Sequence, residues 1–374
     1  MKKLVLIGAG HSHLFFLKKL SHIDRQNYDI QLISDANTSY YSALVPGFIV
    51  GTTEQKEVEV SVINLCKALN ISFHLGVLTS VNPRENSIQL SSGQILYYDV
   101  LSINTGSAYR KIPTDSESND RVIYLKPWSD FFPQWKKLLE QAQKSKKLSI
   151  SIIGGGVGSV EIALSVKARL TQLQIENKIT LITSGDHILQ DSANSLSLKI
   201  SKILAKSNIE LYLQKKITSI KNQTPMTSDS VPTQSFDYIL VATNPSPPES
   251  LKNLNLKLDK DGFVRVNYSL QSYENIFVSG DAASFDSPIA KSGVHTVRQG
   301  EVLSYNLISR MDENTALKEY FPPRRTLSIL TTGLSTACLS WGNFTICGYW
   351  PWLLKRYIDK KYMNSFVGKY LKST

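Results

Sequence analysis

The sequence predicts an α/β fold in which one strand–turn–helix unit occurs twice, because two apolar runs each lead into a glycine turn and then a helical pattern. The first copy is LVLIGAGHSHLFFL (residues 4–17) and the second is LSISIIGGGVGSVEIAL (148–164). A third apolar run, NIFVSGDAASF (275–285), ends in a Gly-Asp pair. These stretches predict a mostly parallel sheet for each unit, and the residues after 310 predict a further β/α segment.

Length and composition describe a globular protein of two or three domains. The chain has 374 residues, of which 42% are hydrophobic and 20% are charged. No apolar run approaches the roughly 18–20 residues that a membrane-spanning helix needs, and the N-terminus lacks a signal-peptide pattern, so we expect a cytoplasmic protein. The excess of 42 basic over 31 acidic residues indicates an anionic partner. No recognition motif points to nucleic acid, so a nucleotide or an anionic bilayer surface is expected.

The first glycine turn has the arrangement that binds an adenine dinucleotide. Gly8 and Gly10 let the backbone approach a pyrophosphate at a helix N-terminus, and Asp35 is placed to bind ribose hydroxyls. His13 stands where a third glycine is usual, so either the turn is more open or the imidazole fills the space. We expect His11 and His13 beside the pyrophosphate or in the helix–strand packing. A metal site is disfavoured because residues i and i+2 of a helix point apart and no further His or Cys cluster is evident.

The second glycine turn fits a second dinucleotide. Gly154 and Gly156 take the first two glycine positions, and Ser159 takes the third. The next strand ends in Thr183 and Ser184, without the carboxylate that would repel a 2′-phosphate. This slightly favours tolerance of NADPH, and the choice between NADH and NADPH stays open.

The Gly280-Asp281 pair ends an apolar strand, at the edge where open α/β sheets bind their ligands. A Gly-Asp pair by itself predicts only a turn. Following two dinucleotide turns, Asp281 is the expected partner of a flavin's ribityl chain.

These stretches resemble the pyridine nucleotide-disulfide oxidoreductase superfamily, and in particular its type II NADH dehydrogenase-like branch. Within that branch, the chain especially resembles the flavoprotein module that is often fused to selenide, water dikinase. The resemblance is carried by the His-x-His after the first turn and by four further stretches. They are YYSALVPGFIVG (40–51), DVLSINTGS (99–107), FDYILVATNPSPP (236–248) and IAKSGVHTVRQGEVLSYNL (289–307). The resemblance covers essentially the whole chain.

The resemblance implies two Rossmann-like domains, with an NAD(P)H domain inserted into an FAD domain. The FAD domain is expected over 1–110 and 260–310, and the NAD(P)H domain over 120–255. Residues 113–120 are interpreted as the crossing linker and 222–235 as an exposed loop. A C-terminal β/α segment, 311–374, follows.

The resemblance also implies roles for individual residues. The residues expected to bind FAD are Gly8, Gly10, His11, His13, Asp35, Pro46, Thr105, Gly106, Gly280 and Asp281. Those expected to bind NAD(P)H are Gly154, Gly156 and Ser159. Tyr41, Leu44 and Val45 are expected with Pro46 as one wall of the flavin or quinone pocket, although core residues would give the same pattern.

Four residues are candidates for catalysis. Glu161 is expected near the nicotinamide by the resemblance, or else is a helix-surface charge. Lys291, His295 and Gln299 have four-residue spacings that predict one shared helix face, and the resemblance directs the N-terminus of that helix at the flavin. Lys291 as a solvated charge and His295 as a packing residue remain alternatives.

The cysteines disfavour a thiol relay. Only Cys66, Cys338 and Cys347 are present, too few and too widely spaced for a disulfide framework, and residues 36–66 lack the Cys-x(4)-Cys pair of the superfamily's disulfide reductases. All three are interpreted as buried small apolar residues, with a sulfide:quinone oxidoreductase role as the alternative. The resemblance to type II dehydrogenases then implies direct electron transfer to a quinone-type acceptor.

The C-terminal residues 351–374 have six Lys or Arg residues against the single Asp359. An i, i+4 series of Trp350, Leu354, Ile358, Tyr362 and Phe366 predicts an apolar helix face beside this charge. We expect either peripheral binding to the inner face of a membrane or packing on the protein's own core.

The function predicted from the sequence is oxidation of NAD(P)H through FAD with reduction of a quinone-type acceptor. Two alternatives stay open. One is a soluble reductase that serves selenium or sulfur metabolism, and the other is a non-enzymatic flavoprotein that senses redox state.

Overall fold

The structure is a computed structural model that describes residues 1–20, 26–314 and 316–370, with side chains up to residue 366. Its first sheet has six strands. The edge strand Gln271–Tyr273 is antiparallel to Ile276–Val278, and all the other neighbouring strands are parallel. The order is Gln271–Tyr273, Ile276–Val278, Val100–Ile103, Lys2–Ile7, Tyr28–Ser34 and Ser72–Leu75. The last four residues of the central strand Lys2–Ile7 are all apolar and buried, as expected for a parallel strand whose two faces are both covered.

The second sheet has five parallel strands and comes from one continuous part of the chain. The order is Val122–Tyr124, Tyr238–Val241, Lys147–Ile153, Glu176–Ile182 and Ile209–Tyr212. In each sheet a glycine turn follows the central strand, so both turns lie at the carboxyl edge, where such sheets bind ligands. The predicted fold class, two Rossmann-like units and a C-terminal β/α segment, is confirmed.

The helices cover the faces of both sheets. They are His11–Leu20, Val45–Val50, Gln55–Val58, Val62–Ala68, Trp128–Ser145, Val157–Gln172, Asn194–Lys206, Gly293–Met311 and Tyr349–Tyr370. The helix His11–Leu20 packs on Gly293–Met311, and the helix Val45–Val50 of the first unit packs on Val157–Gln172 of the second. The two units therefore contact each other beside their glycine turns.

Shorter antiparallel strands complete the fold. The paired strands are Thr38–Tyr40 with Glu59–Ser61, Ala108–Tyr109 with Pro245–Ser246, and Ile217–Lys221 with Thr224–Thr227. Two three-stranded sheets are Leu78–Asn82, Ser87–Leu90 and Ile95–Tyr97, and Leu327–Thr331, Ala337–Trp341 and Phe344–Gly348. A short parallel pair joins Val264–Arg265 to Ala283–Ser284.

One predicted loop is partly a hairpin. The sequence indicates an exposed loop over 222–235, but Thr224–Thr227 pairs with Ile217–Lys221 in the structure. Its two-residue turn has positive φ at Asn222 (48°) and Gln223 (58°), the backbone of a type I′ turn. Asn-Gln is not the Asn-Gly pair that signals such a turn, so the sequence did not reveal the hairpin.

Candidate active site

The first glycine turn packs tightly against the strand Val100–Ile103 and the residue after it. Gly8 has a left-handed φ of +84°, and a Cβ there would lie 2.6 Å from the Asn104 carbonyl oxygen. A Cβ at Gly10 would lie 2.2 Å from Asn104 Oδ1. Both positions need glycine because no side chain fits between the turn and Asn104. Asp35 is exposed where the strand Tyr28–Ser34 ends, and its ribose role stays a prediction.

Asn104 joins three parts of this site and was not predicted as a site residue. Its Oδ1 accepts hydrogen bonds from the backbone N–H groups of Ser12 (3.1 Å) and His13 (3.3 Å). Its Nδ2 donates to the carbonyl oxygen of Ser279 at 2.8 Å. The side chain therefore caps the first helix and fixes it to the Gly280-Asp281 loop.

His13 fills the place of the missing third glycine. The ring is fully buried, with Nδ1 2.6 Å from the Gly8 carbonyl oxygen and Nε2 2.8 Å from Ser102 Oγ. Because a carbonyl can only accept, Nδ1 carries the proton of the neutral ring and Nε2 accepts from the serine. Burial lowers the pKa of His13 to about 4, and the bond to Gly8 opposes this shift. His13 thus lies in the helix–strand packing.

His11 lies on the open side of the same turn. Its ring centroid is 5.5 Å from that of Tyr41 and 6.1 Å from that of Tyr362. Burial lowers the pKa of His11 to about 4, the nearby Asp281 carboxylate opposes this, and Lys126 adds to it. His11 is therefore located where the first turn, the Gly280-Asp281 loop and the C-terminal helix meet.

The Gly280-Asp281 loop is held by polar side chains from two sides. The backbone N–H of Gly280 donates to Oε1 of the buried Gln299 at 2.6 Å. The Asp281 carboxylate accepts a hydrogen bond from Ser107 Oγ at 2.7 Å and lies 3.5 Å from Lys126 Nζ. Gln299 therefore contacts the loop backbone, and Asp281 presents its carboxylate to the side on which His11 lies.

The prediction that Lys291 shares a helix face with His295 and Gln299 is wrong. The helix Gly293–Met311 begins only after Ser292, whose side chain accepts a hydrogen bond from the backbone N–H of His295. Lys291 precedes the helix, and its ammonium donates to the carbonyl oxygens of Asp281 and Ala283, each at 2.8 Å. A serine before a helical pattern is a start signal that predicts this later beginning.

His295 is buried on the first turn of that helix. Its Nδ1 lies 2.6 Å from Tyr320 Oη. Burial lowers the pKa of His295, and the nearby Arg298 adds to this effect. The contacts describe a satisfied packing residue, and a catalytic role stays a prediction.

The second glycine turn repeats the geometry of the first. Gly154 has φ +144°, and a Cβ there would lie 2.2 Å from the Ala242 carbonyl oxygen. Ser159, in the third-glycine position, is buried and donates from Oγ to the Gly156 carbonyl at 2.8 Å. By contrast, a Cβ at Gly156 would have no atom within 4 Å. The N-terminus of Val157–Gln172 is therefore open, and its N–H groups suit an anion.

Glu161 faces the C-terminal sheet from the helix of the second turn. Its Oε1 accepts a hydrogen bond from the backbone N–H of Thr331 at 2.7 Å. Burial raises the pKa of Glu161, Lys355 and the bond from Thr331 oppose this rise, and Asp359 adds to it. The alternative that Glu161 is a solvated surface charge does not fit this environment.

The C-terminal helix Tyr349–Tyr370 does not expose the predicted i, i+4 series as one face. Trp350 is 77% exposed and Leu354 40%, whereas Phe366 is 1% exposed and belongs to the core. Each step of four residues turns a helix by about 40°, so such a series passes from the outer side to the inner side over four turns. The first members of the series are thus exposed, and its last member, Phe366, is packed in the core. Lys369 and Lys372 lie outside the described side chains.

Two cysteines do not behave as predicted. Cys338 and Cys347 face each other on the strands Ala337–Trp341 and Phe344–Gly348 and form a disulfide, with Cα atoms 4.0 Å apart. The interpretation as small apolar residues is therefore wrong for this pair, because adjacent antiparallel strands bring together residues that are nine positions apart in sequence. Cys66 is free and buried, as expected, and burial raises its pKa to about 12.

Two findings concern the described part of the chain as a whole. Within residues 1–20, 26–314 and 316–370, no three His, Cys, Asp or Glu side chains come together as a metal site would require. In the same residues, no helix is both long enough and apolar enough to cross a bilayer.

Two nucleotide turns in two Rossmann-like units define a flavoprotein oxidoreductase that uses a pyridine nucleotide. The chain belongs to the pyridine nucleotide-disulphide oxidoreductase family, whose model matches residues 2–300. FAD is the cofactor of this family and NAD(P)H its co-substrate.

Individual relatives are distant. The apoptosis-inducing factor homolog B of Dictyostelium discoideum is 25% identical over 314 residues, which cover 76% of each chain. The mitochondrial external alternative NAD(P)H-ubiquinone oxidoreductase B1 of Arabidopsis thaliana is 26% identical over 324 residues, covering 75% of this chain and 55% of the plant protein. The sulfide:quinone oxidoreductase structure from Aquifex aeolicus matches with a TM-score of 0.84 at 18% identity, covering 100% and 93%. This last likeness shows a shared fold.

The residues of both turns fit a dinucleotide. Thr105 follows Asn104, whose carbonyl packs on Gly8. In the same way, Thr243 follows Ala242, whose carbonyl packs on Gly154. The two threonines therefore hold equivalent positions beside the two turns. Both threonine Oγ1 atoms are buried without a hydrogen-bond partner in the described part of the chain. Buried hydroxyls normally have partners, and a dinucleotide supplies phosphate and ribose oxygens. Gly106, with φ +75° and open space around a Cβ, leaves room beside Thr105.

Proposed function

We propose that this protein oxidises NAD(P)H through bound FAD and reduces a quinone-type acceptor at an anionic membrane surface. One observation carries the proposal. His11 after the first turn and Glu161 after the second turn both approach the C-terminal helix, through Tyr362 and Lys355 respectively. The two dinucleotides would therefore meet beside an element whose outer side is apolar.

Bound FAD accepts a hydride from the nicotinamide and passes electrons on, so the protein must bind, orient and shield the reactants. The open N-terminus at Gly156 suits the NAD(P)H pyrophosphate. The turn at Gly8 and Gly10, together with Asp281, suits FAD. Glu161, buried and fixed by Thr331, is our candidate for contact with the nicotinamide.

The cysteines favour direct transfer to a small acceptor. Cys66 is buried in the core of the first unit, and its raised pKa disfavours the reactive thiolate. Cys338 and Cys347 belong to the C-terminal sheet, where neither is part of a glycine turn.

The membrane part of the proposal rests on one exposed surface, which we name the C-terminal apolar surface. Its members are large apolar side chains that are 38–77% exposed: Trp341, Phe344, Ile346, Tyr349, Trp350, Leu354, Tyr357 and Ile358. The basic side chains of Arg356, Lys360 and Lys361 are exposed on the same helix. Aromatic residues beside cations are typical of peripheral binding to anionic bilayers.

An anaerobic acceptor panel tests the catalytic part. We expect the purified flavoprotein to be reduced by NADH or NADPH and to be reoxidised faster by a short-chain quinone than by sulfur or selenium species. Turnover with the sulfur or selenium species and none with quinones would support the soluble reductase instead. Flavin that stays oxidised under both nucleotides would support a non-enzymatic flavoprotein.

Vesicle sedimentation tests the membrane part. We expect the protein to bind phosphatidylserine vesicles more strongly than phosphatidylcholine vesicles, and more weakly as salt is added. Trp350→Ser combined with Tyr357→Ser should weaken binding, whereas Leu75→Ser, which removes a 64% exposed leucine that is not part of the C-terminal apolar surface, should not. Equal binding of all three proteins would exclude the C-terminal apolar surface as the contact.

A further inference from the structure

A buried polar cluster lies between the C-terminal helix and the segment that follows the strand Thr38–Tyr40. We name it the Tyr41–Asp359 cluster; it comprises Tyr41, Lys355, Asp359 and Tyr362. Tyr41 Oη donates to Asp359 Oδ1 at 3.0 Å, and Lys355 Nζ lies 3.0 Å from Asp359 Oδ2. Lys355 also donates to the Ala43 carbonyl at 2.7 Å. The side chains of Lys355 and Asp359 are only 11% and 6% exposed.

The cluster connects the two glycine turns. Tyr41 stacks on Tyr362 with ring centroids 4.4 Å apart, and the ring of His11, after the first turn, lies against both tyrosines. On the other side, Lys355 and Asp359 are close enough to Glu161 to shift its pKa in opposite directions. The cluster therefore lies beside the place where a flavin and a nicotinamide held by the two turns would meet.

Docking a helix does not require this chemistry. Burying an ion pair costs desolvation free energy, and an apolar pair of similar size docks a helix as well or better. Moreover, the hydroxyl of Tyr362 is buried with no hydrogen-bond partner among the residues that the structure describes. A hydroxyl without a partner, next to a connected Tyr–Asp–Lys series, indicates a place for a water or for a polar atom of a ligand.

The reaction of the proposed function needs a proton from outside. Reduction of a quinone to a quinol takes two electrons and two protons, and a hydride from NAD(P)H supplies both electrons and one proton. The second proton must come from water. The C-terminal helix lies beside both turns, through Tyr362 and Lys355, so its polar side chains are placed to bring that proton in.

We propose that Lys355, Asp359 and Tyr41 conduct this second proton to the acceptor. The inference rests on the proposed function. Tyr41 gives its hydroxyl proton to the quinone oxygen; the Lys355 ammonium gives a proton to the Asp359 carboxylate, Asp359 passes that proton to the Tyr41 oxygen, and Lys355 takes up a proton from the solvent. After each turnover all three groups are back in their starting protonation states, so charges and atoms balance.

The test compares an acceptor that takes up protons with one that does not. A short-chain quinone is reduced with proton uptake, whereas ferricyanide takes electrons alone. We expect Asp359→Asn and Tyr41→Phe to lower the ratio of quinone to ferricyanide turnover about 100-fold or more, the lower end of a typical general-acid contribution. The solvent deuterium isotope effect on quinone turnover should also increase in both variants.

Phe366→Leu is the matched control for a merely structural role. Phe366 is a core residue of the same helix, 1% exposed, and its substitution loosens helix packing without removing a titratable group. It should change quinone and ferricyanide turnover together and leave their ratio unchanged. A lower ratio in Phe366→Leu as large as that in Asp359→Asn would overturn the inference.

Infrared difference spectra give a second readout beside the turnover ratio. Between the resting protein and the protein during quinone turnover, we expect a band from a protonated carboxyl group that is absent in Asp359→Asn. Spectra without any difference between wild type and variant would contradict the inference. So would wild-type and Asp359→Asn proteins with equal turnover ratios. A wild-type protein that reduces ferricyanide but no quinone would instead refute the proposed function, and with it the inference.

Discussion

Gly154 and Gly156 are two residues apart in one turn, yet the structure gives a methyl group opposite consequences at the two positions. At Gly154 it would meet the Ala242 carbonyl oxygen at 2.2 Å with φ +144°. We therefore expect Gly154→Ala to lower the free energy of unfolding by about 3 kcal/mol or more, measured in urea.

Gly156→Ala separates nucleotide binding from folding. Gly156 has an extended backbone that alanine adopts readily, and its Cβ would meet no protein atom within 4 Å. Stability should change by less than about 1 kcal/mol. NAD(P)H affinity, followed by titration, should fall about 10-fold or more, because the methyl group occupies the space of the pyrophosphate. Unchanged affinity would mean that the nucleotide does not lie on this turn.

His13 predicts a pH dependence of stability. Its pKa is about 4 in the folded protein and 6.5 when unperturbed, so the unfolded chain binds an extra proton as pH falls below about 6.5. The free energy of unfolding should therefore decrease between about pH 6.5 and 4, by about 1.4 kcal/mol per pH unit from this residue. We expect the free energy of unfolding of His13→Gln, measured in urea, to depend less steeply on pH, by the equivalent of one proton taken up on unfolding. An identical slope would mean that His13 does not titrate in this way.

The site residues that the sequence did not predict make their contacts with residues that are far from them in sequence. Asn104 caps a helix that begins more than 90 positions before it, and no local pattern reports such a contact. Lys355 and Asp359 form an i, i+4 pair that usually indicates a solvated helix face. Only the packing of Tyr41 and Ala43 against the helix places this pair inside. By contrast, the glycines could be predicted, because the local strand–turn–helix pattern indicates a turn whose backbone must pass close to other atoms.

At the scale of elements, local signals placed the strands and turns better than the helix boundaries and faces. The strand–turn–helix units followed from apolar runs and glycines alone. The four-residue spacing of Lys291, His295 and Gln299 predicts a helix that begins before Lys291, whereas the serine cap at Ser292 starts the helix at Gly293. The faces of Tyr349–Tyr370 depend on what packs against it, and periodicity alone does not contain that information.

Asn104 offers a prediction about how elements are joined. Asn104→Ala removes the helix cap and the bond to Ser279, so we expect a loss of about 2 kcal/mol in the free energy of unfolding. Asn104→Asp keeps an oxygen acceptor for the N–H groups of Ser12 and His13 and should lose less. Its negative charge faces the pyrophosphate site, so FAD should dissociate faster than from wild type. Urea unfolding and flavin release measure the two effects, and equal destabilisation by both substitutions would argue against a capping role.

At the scale of the molecule, the two units share one geometry with different chemistry in the third-glycine position. In the first unit an imidazole fills that place, and in the second a serine does so. Among the residues that the structure describes, the buried hydroxyls of Thr105 and Thr243 have no partner, and they hold equivalent places in the two units. We therefore expect each bound nucleotide to supply a partner there and to stabilise the folded chain.

Removal of FAD should therefore lower the stability of the whole protein. At a free FAD concentration of 100 to 1,000 times Kd, binding stabilises the folded state by about 3–4 kcal/mol. Deflavinated protein should melt several degrees lower, as measured by differential scanning calorimetry, and readdition of FAD should restore the melting temperature. A melting temperature that is the same with and without FAD would contradict the fit of the first turn to the cofactor.

The pair of His13 and Ser102 has a consequence for how this turn could have evolved. Replacing His13 with glycine alone would restore the usual motif, but it would leave the Gly8 carbonyl and the Ser102 hydroxyl buried beside an empty space. Replacing Ser102 alone would leave an imidazole nitrogen without its partner. Neither single step is neutral, so the two positions are expected to change together among descendants of a common ancestor. The histidine, once acquired, would then be difficult to lose.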